Sequence, residues 1–283
     1  MKAMLRHLRS NRLALVGAII LLAVVLIAIF VPLLTSGDPN RIAMQLKNRL
    51  PSFDHPFGTD QFGRDLFLRV ALGSRLSLMI ALAISTVALV VGTLFGIVAG
   101  YAGGWVDAVL SRIMDSLMAF PSILLALGIM AMLGASTENV IVALSLVYIP
   151  RMARVARAPV LAQKELDYVD AARSCGASHM RVLFRHILPN IVSSLIVQVT
   201  VIFAYAMVAE ATLGFLGIGV PPPAPTWGNL LADGRRTLMT IPYQTVFPAI
   251  ALGITVLGIN FFGDGLRDLL DPRMRGSGTA AVE

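Results

Sequence analysis

Long apolar runs alternate with short polar segments along this chain, and the run lengths decide what the runs can be. Six stretches approach the roughly 20 apolar residues that a helix needs to cross a bilayer. They are Leu13–Leu34, Leu76–Tyr101, Val109–Leu133, Asn139–Met152, Ile187–Ala209 and Val246–Phe262. The fourth is short, but Arg151, Arg154 and Arg157 follow one helix side and extend it out of the membrane. Pro32 and Pro39 are expected to end the first helix, and Pro121 to kink the third. Gly92, Gly96 and Gly100 recur every four residues, so they form a flat strip on one helix face that admits a close neighbour.

The polar segments differ in character. Residues 35–75 hold Pro39, Pro51 and Pro56 and are too irregular for lipid, where unpaired backbone groups are costly. Within them, Asp60 and Asp65 are expected to pair with Arg64 and Arg69 around a tight turn. Gly103-Gly104 makes a short connection, and Arg112 and Asp115 stand three apart, the spacing of a helical ion pair. The stretch from Leu213 to Gly228 is too rich in glycine and proline for a straight span.

The segment Lys164–Asn190 is polar yet ordered. Asp170, Ala171 and Ala172 begin a helical turn, Gly176 falls where that helix ends, and Ser178 can cap a second short helix that Pro189 limits or kinks. A helix–glycine–helix shelf between two spans predicts a docking surface for another protein. A solvated loop would not need such order.

Composition agrees with a membrane protein: 57% of residues are hydrophobic and the mean hydropathy is +0.79. The net charge of +7 reflects basic residues beside apolar runs. It fits the positive-inside bias and no nucleic-acid-binding domain. Six spans put both termini on one side, and the basic residues of the N-terminus and of 151–186 place that side in the cytoplasm. The basic residues of 35–75 run against this assignment. A basic start before an apolar run also suits a signal peptide, but the run is long and no small-x-small cleavage site follows, so a retained first helix is expected. The single Cys175 allows neither an internal disulfide nor a cysteine zinc site.

Catalytic chemistry is missing from the sequence. His7, His55, His179 and His186 all lie outside the spans, which leaves no metal site in the membrane. No lysine follows a glycine, so a phosphate-binding loop is excluded and ATP must be hydrolysed, if at all, on another chain. Ser193, Ser194, Gln198, Thr200, Glu210 and Asn260 are the polar groups near or within spans, and Gln198, Glu210 and Asn260 are candidates for a translocation path. Glu210 stands either at the outer mouth of such a path or at a helix end in water.

Asp170-Ala171-Ala172, three residues, Gly176, nine residues and His186-Ile187-Leu188-Pro189 resemble the EAA motif of bacterial ABC importer permeases, with Asp170 where the pattern has Glu and His186 where it has an apolar residue. Phe57-Gly58-Thr59-Asp60 with Gly63-Arg64-Asp65, the run Leu213–Pro223 with Trp227-Gly228, and Leu270-Asp271-Pro272-Arg273 resemble the dipeptide/oligopeptide branch and its nickel-transporting relatives. The resemblance implies an all-α membrane protein with the type I ABC importer transmembrane domain. Residues 1–75 would be a first helix and extracytoplasmic segment, 76–272 the transmembrane domain proper and 273–283 a cytoplasmic tail. It further implies a bacterial inner-membrane location, with a homologous permease, two ATPase subunits carrying ATP and magnesium, and an extracytoplasmic substrate-binding protein as partners. Asp170, Ala171, Ala172, Gly176, Leu188 and Pro189 would couple to the ATPases. The expected cargo is di- or oligopeptide, with nickel chelates, glutathione or opines as alternatives. Outside the class, a membrane-embedded enzyme lacks a catalytic set, and a channel or secondary transporter would not need the shelf.

Overall fold

The computed structural model describes residues 12–35 and 38–270, which are helical apart from connecting turns, an irregular stretch at 38–65 with one short 3-10 helix (Met44–Leu46), and one isolated bridge between Thr59 and Asp65. The basic residues before Arg12 and the tail from Asp271 lie outside the described residues. Helix α1 (Arg12–Leu34) passes through Pro32 instead of stopping there. Helix α2 (Leu66–Val87) winds through a π-helical turn (Ala88–Gly92) into α3 (Thr93–Ala102), giving one continuous helix of 37 residues. It starts ten positions earlier than the apolar run suggests. The Asp65 carboxylate accepts from the Leu68 N–H at 2.9 Å and caps it. Buried Arg69 donates from one terminal nitrogen to the Pro39 carbonyl at 3.3 Å and to Asn40 Oδ1 at 3.0 Å, which ties this helix to the segment before it.

The third span is broken, not kinked. Helix α4 (Gly104–Met118) and α5 (Ser122–Leu133) meet at 89°. Pro121 has no N–H to continue α4 and adopts an extended ψ of 127° as it leads into α5. The described residues therefore contain five helices long and apolar enough to cross a membrane, or six if this bent pair counts as one span.

Helix α6 (Thr137–Gln163) is capped by Ser136 and carries Pro150 and Pro159 without interruption. A short helix α7 (Asp167–Ser174) and a single turn α8 (His179–Val182) follow. A second π-helical turn (Leu183–Ile187) joins α8 to the long helix α9 (Leu188–Phe215), so that His179–Phe215 is again one continuous helix of 37 residues. Proline at i clashes with the carbonyl of i−4, and a widened turn relieves that clash. This explains how the helix runs past Pro189. Helix α10 (Trp227–Arg235) is short, and α11 (Tyr243–Leu270) closes the bundle against α1 and α9.

Helices α6 and α9 hold the centre, with Val140, Leu144, Met152, Ile191, Ile202, Met207 and Leu213 fully or almost fully buried. The glycine strip packs as expected. A Cβ at Gly92 would lie 2.6 Å from the Met152 Cβ, one at Gly96 2.4 Å from the Ala153 carbonyl oxygen, and one at Gly100 3.0 Å from the Arg157 carbonyl oxygen. Helix α3 thus touches the backbone of α6.

Candidate functional site

The shelf is built from α7 and α8. Helix α7 begins at Asp167, three residues before the expected start, so Asp170, Ala171 and Ala172 occupy its middle. Asp167 and Asp170 in the first turn and Arg173 in the last suit the helix dipole. The end is closed by Gly176 N–H to the Arg173 carbonyl at 2.9 Å and Ala177 N–H to the Ala172 carbonyl at 3.0 Å, with Gly176 at φ +81°. That left-handed conformation is the reason glycine stands there. Ser178 Oγ accepts from the Arg181 N–H at 3.4 Å and caps α8, as expected.

Val169 and Val182 are fully buried and anchor the shelf in the core. Asp170, Ala171, Gly176 and Pro189 remain exposed, while Ala172 and Leu188 are half-buried. Around them Leu166, Tyr168, Met180 and Phe184 expose large apolar surface. A polar shelf with an unburied apolar rim suits a protein contact.

Two tyrosines missed by motif reading tie this shelf to the spans. The Tyr101 hydroxyl, at the end of α3, hydrogen-bonds His179 Nδ1 at 2.9 Å, and the Arg173 guanidinium lies 5.6 Å from the same ring. The Tyr168 hydroxyl donates to Gln163 at the end of α6 and accepts from Asn190 Nδ2 at 3.3 Å at the start of α9. The only sequence signal for Tyr101 was its place between an apolar run and Gly103-Gly104.

Ion pairs fix α4 to α6. Arg157 grips Asp107 through both nitrogen–oxygen contacts, at 2.5 and 2.6 Å, and Arg154 reaches Asp115 at 2.5 Å. The expected Arg112–Asp115 pair is replaced by this longer-range one.

Glu210 does not end its helix in water. It is 0% exposed, inside α9, and accepts a hydrogen bond from Ser77 Oγ of α2 at 3.0 Å. Ser77 Oγ in turn accepts from the Trp227 N–H at 3.2 Å, and Trp227 Nε1 donates to the Val70 carbonyl at 3.1 Å. Glu210 therefore joins α2, α9 and α10. Gln198 is half-buried on α9 and Asn260 exposed on α11, and among the described residues no hydrogen bond links either to Glu210. Glu210→Ala is expected to lower stability by about 2–4 kcal/mol through a cavity and an unpaired Ser77 hydroxyl, with Glu210→Gln retaining most of it. Thermal unfolding of the purified protein in detergent checks this, and equal melting of both variants would contradict it.

On the face that holds residues 38–65, Asp60 pairs with Arg64 at 2.5 Å and with Arg69 at 3.8 Å, as expected. Asp65 instead pairs with His55 Nδ1 at 2.7 Å. Arg64 also reaches Asp233 at 3.5 Å, while burial pushes the Asp233 carboxyl above its ordinary range and Arg64 opposes that shift. Arg64, Arg69, Asp233 and residues between Gly214 and Asn229 wall a cavity of 580 Å³.

Residues 92–276 match the family model described as binding-protein-dependent transport system inner membrane component. Residues 1–51 match that of the N-terminal transmembrane domain of oligopeptide transport permease C. A Brucella abortus protein named as a peptide transport system permease is 48% identical over 96% of this chain and 92% of its own length. A dipeptide transport system permease protein of Alkalihalophilus pseudofirmus is 44% identical over 95% and 89%. A glutathione transport system permease protein of Pectobacterium atrosepticum is 40% identical over 95% and 90%. Among solved structures, the inward-facing methionine ABC transporter MetNI superposes with a TM-score of 0.58 at 19% identity, covering 72% of this chain and 96% of that one.

Proposed function

The chain belongs to the binding-protein-dependent transport system inner membrane component family, and on that premise we propose that it passes di- or oligopeptides across the membrane beside a homologous permease. It is a transport permease subunit with several membrane-spanning helices. The observation that carries the finer reading is the exposed α7–Gly176–α8 shelf, hydrogen-bonded through Tyr101 and Tyr168 to the ends of three spans. Two ATPase subunits bind this shelf and its copy on the second permease. Their closure on ATP displaces Asp170, Ala171, Ala172 and Gly176, and the displacement reaches the spans through Leu188, Pro189 and the tyrosine contacts. An extracytoplasmic binding protein delivers the cargo at the opposite face. Relatives named for peptide and dipeptide transport support a peptide cargo. The relative named for glutathione keeps that tripeptide as a second reading.

The test is reconstitution of the complete transporter in liposomes. Binding protein loaded with di- or tripeptides is expected to stimulate ATP hydrolysis and uptake. Stimulation by a nickel chelate alone would remove the peptide assignment and leave the permease assignment standing, and stimulation by glutathione alone would select the second reading.

Sidedness follows from the same reading, with both termini cytoplasmic. Cys175 is exposed on the shelf, and Met239 is 96% exposed in the connection before α11. A membrane-impermeant thiol reagent should reach Cys175 from the cytoplasmic side alone, with ATPase subunits protecting it. A Met239→Cys thiol should react from the other side. Thr226 is unsuitable for this purpose because it is fully buried as the cap of α10. Labelling of both thiols from one face would overturn the topology.

A further inference from the structure

Three arginines follow one another on α6, and the first is unlike the other two. Arg154 and Arg157 are ion-paired to Asp115 and Asp107 on α4. Among the described residues Arg151 has no carboxylate partner, and its guanidinium rests 5.1 Å from the ring centre of Tyr205 on α9. Counted from the Ser136 cap, the α-helical rise places Arg151 about 22 Å along a helix that crosses roughly 30 Å of hydrocarbon. With Ser136 taken at one edge of the hydrocarbon, Arg151 falls inside the far part of it, whereas the run of arginines suggests a position beyond the membrane.

A cation at that depth is costly unless it meets water or an anion. The surroundings are built for contact. Arg151 and Tyr148 line a small recess of 80 Å³ with Ser122. Ser122 and Tyr148 also line an adjoining cavity of 340 Å³ with Tyr205 and Thr212. That volume falls in the roughly 300–1,000 Å³ range of small-molecule pockets. Tyr205, 52% exposed, forms part of its open wall. Tyr205 lies over the guanidinium carbon, and among the described residues no hydrogen bond occupies the N–H fork that matches a carboxylate.

From this arrangement we infer that Arg151, backed by Tyr205, is a cargo-contacting residue that takes the terminal α-carboxylate of the peptide in transit. The inference rests on the peptide reading above. Every linear peptide carries one such carboxylate whatever its side chains, so a single fixed cation recognises the class without reading sequence. One fork without a second cation also keeps the contact weak enough to release.

The complete transporter is reconstituted, and uptake of one tripeptide is compared with uptake of its C-terminal amide. Each is supplied at a concentration that saturates the binding protein by its intrinsic fluorescence. The unmodified complex is expected to import the acid faster than the amide by about ten-fold, the worth of one charged hydrogen-bonded contact. In Arg151→Gln that ratio should fall to about one, while Arg151→Lys should keep an intermediate ratio. An unchanged ratio in Arg151→Gln, or a ratio of one in the unmodified complex, overturns the inference. So does an Arg151→Gln complex that imports neither peptide, which assigns the side chain to assembly, for instance to a carboxylate of the second permease. Failure of the unmodified complex to import or respond to any peptide is a different result, because it removes the peptide reading itself and this inference with it.

Discussion

Gly176→Asp is expected to abolish transport while leaving the chain inserted in the membrane. Within the chain, a Cβ at Gly176 meets nothing within 4 Å. Folding then bears only the strain of a side chain at φ +81°, about 1–2 kcal/mol and less for Asp or Asn. The large effect arises between chains. An unpaired carboxylate buried against an ATPase costs several kcal/mol, enough for a loss of about a hundred-fold or more in the docked population. Gly176→Asn has nearly the same shape and backbone tolerance without the charge, so it should lose distinctly less. Uptake, membrane content and ATPase co-purification are measured together. Normal uptake by a stably inserted Gly176→Asp protein would rule out docking at the shelf.

Gly96→Val should have the largest effect on the fold itself. Its first added atom would lie 2.4 Å from the Ala153 carbonyl oxygen, 2.7 Å from the Ala156 Cβ and 3.0 Å from the Arg157 nitrogen. Two of these are backbone atoms of α6 and cannot rotate away, so α3 and α6 must separate. The separation also loosens Gly92 from Met152 and Gly100 from Val160. A cost of about 3 kcal/mol or more is expected. Gly128→Val is the matched control, because that glycine lies on α5 with nothing within 4 Å. The melting temperatures in detergent should separate widely, and similar values for the two would refute backbone contact at the strip.

The glycine strip was legible because a four-residue repeat of glycine has few other uses in an apolar helix. Run length revealed that spans exist but placed their ends poorly. Arg69 looked like loop, and Arg154 and Arg157 like a helix side without partners; all three are paired inside helices, Arg69 with residues about thirty positions upstream, Arg154 and Arg157 with aspartates 39 and 50 positions away. No local pattern encodes those partners. Pro121 was visible as a disturbance, but whether a proline bends or breaks a helix depends on what packs around it. The layout of the shelf followed from Gly176 and Ser178, whereas its ties through Tyr101 and Tyr168 required the folded chain. Glu210 was the least legible, since its burial is decided by Ser77, 133 positions away, and by Trp227.

The continuous helix from His179 to Phe215 has a mechanical consequence. Its 37 residues extend about 55 Å, nearly twice the hydrocarbon thickness. Glu210, in contact with Ser77, stands roughly 47 Å from the shelf end of this helix and 8 Å from the other. Were the helix to pivot at this contact during transport, it would be a lever of very unequal arms. A stroke of several ångströms at the shelf would then be geared down about six-fold by the time it reached the loop beyond Phe215, with the force multiplied by the same factor. Such gearing favours prying apart a closed, well-packed outer mouth over sweeping it through a long distance.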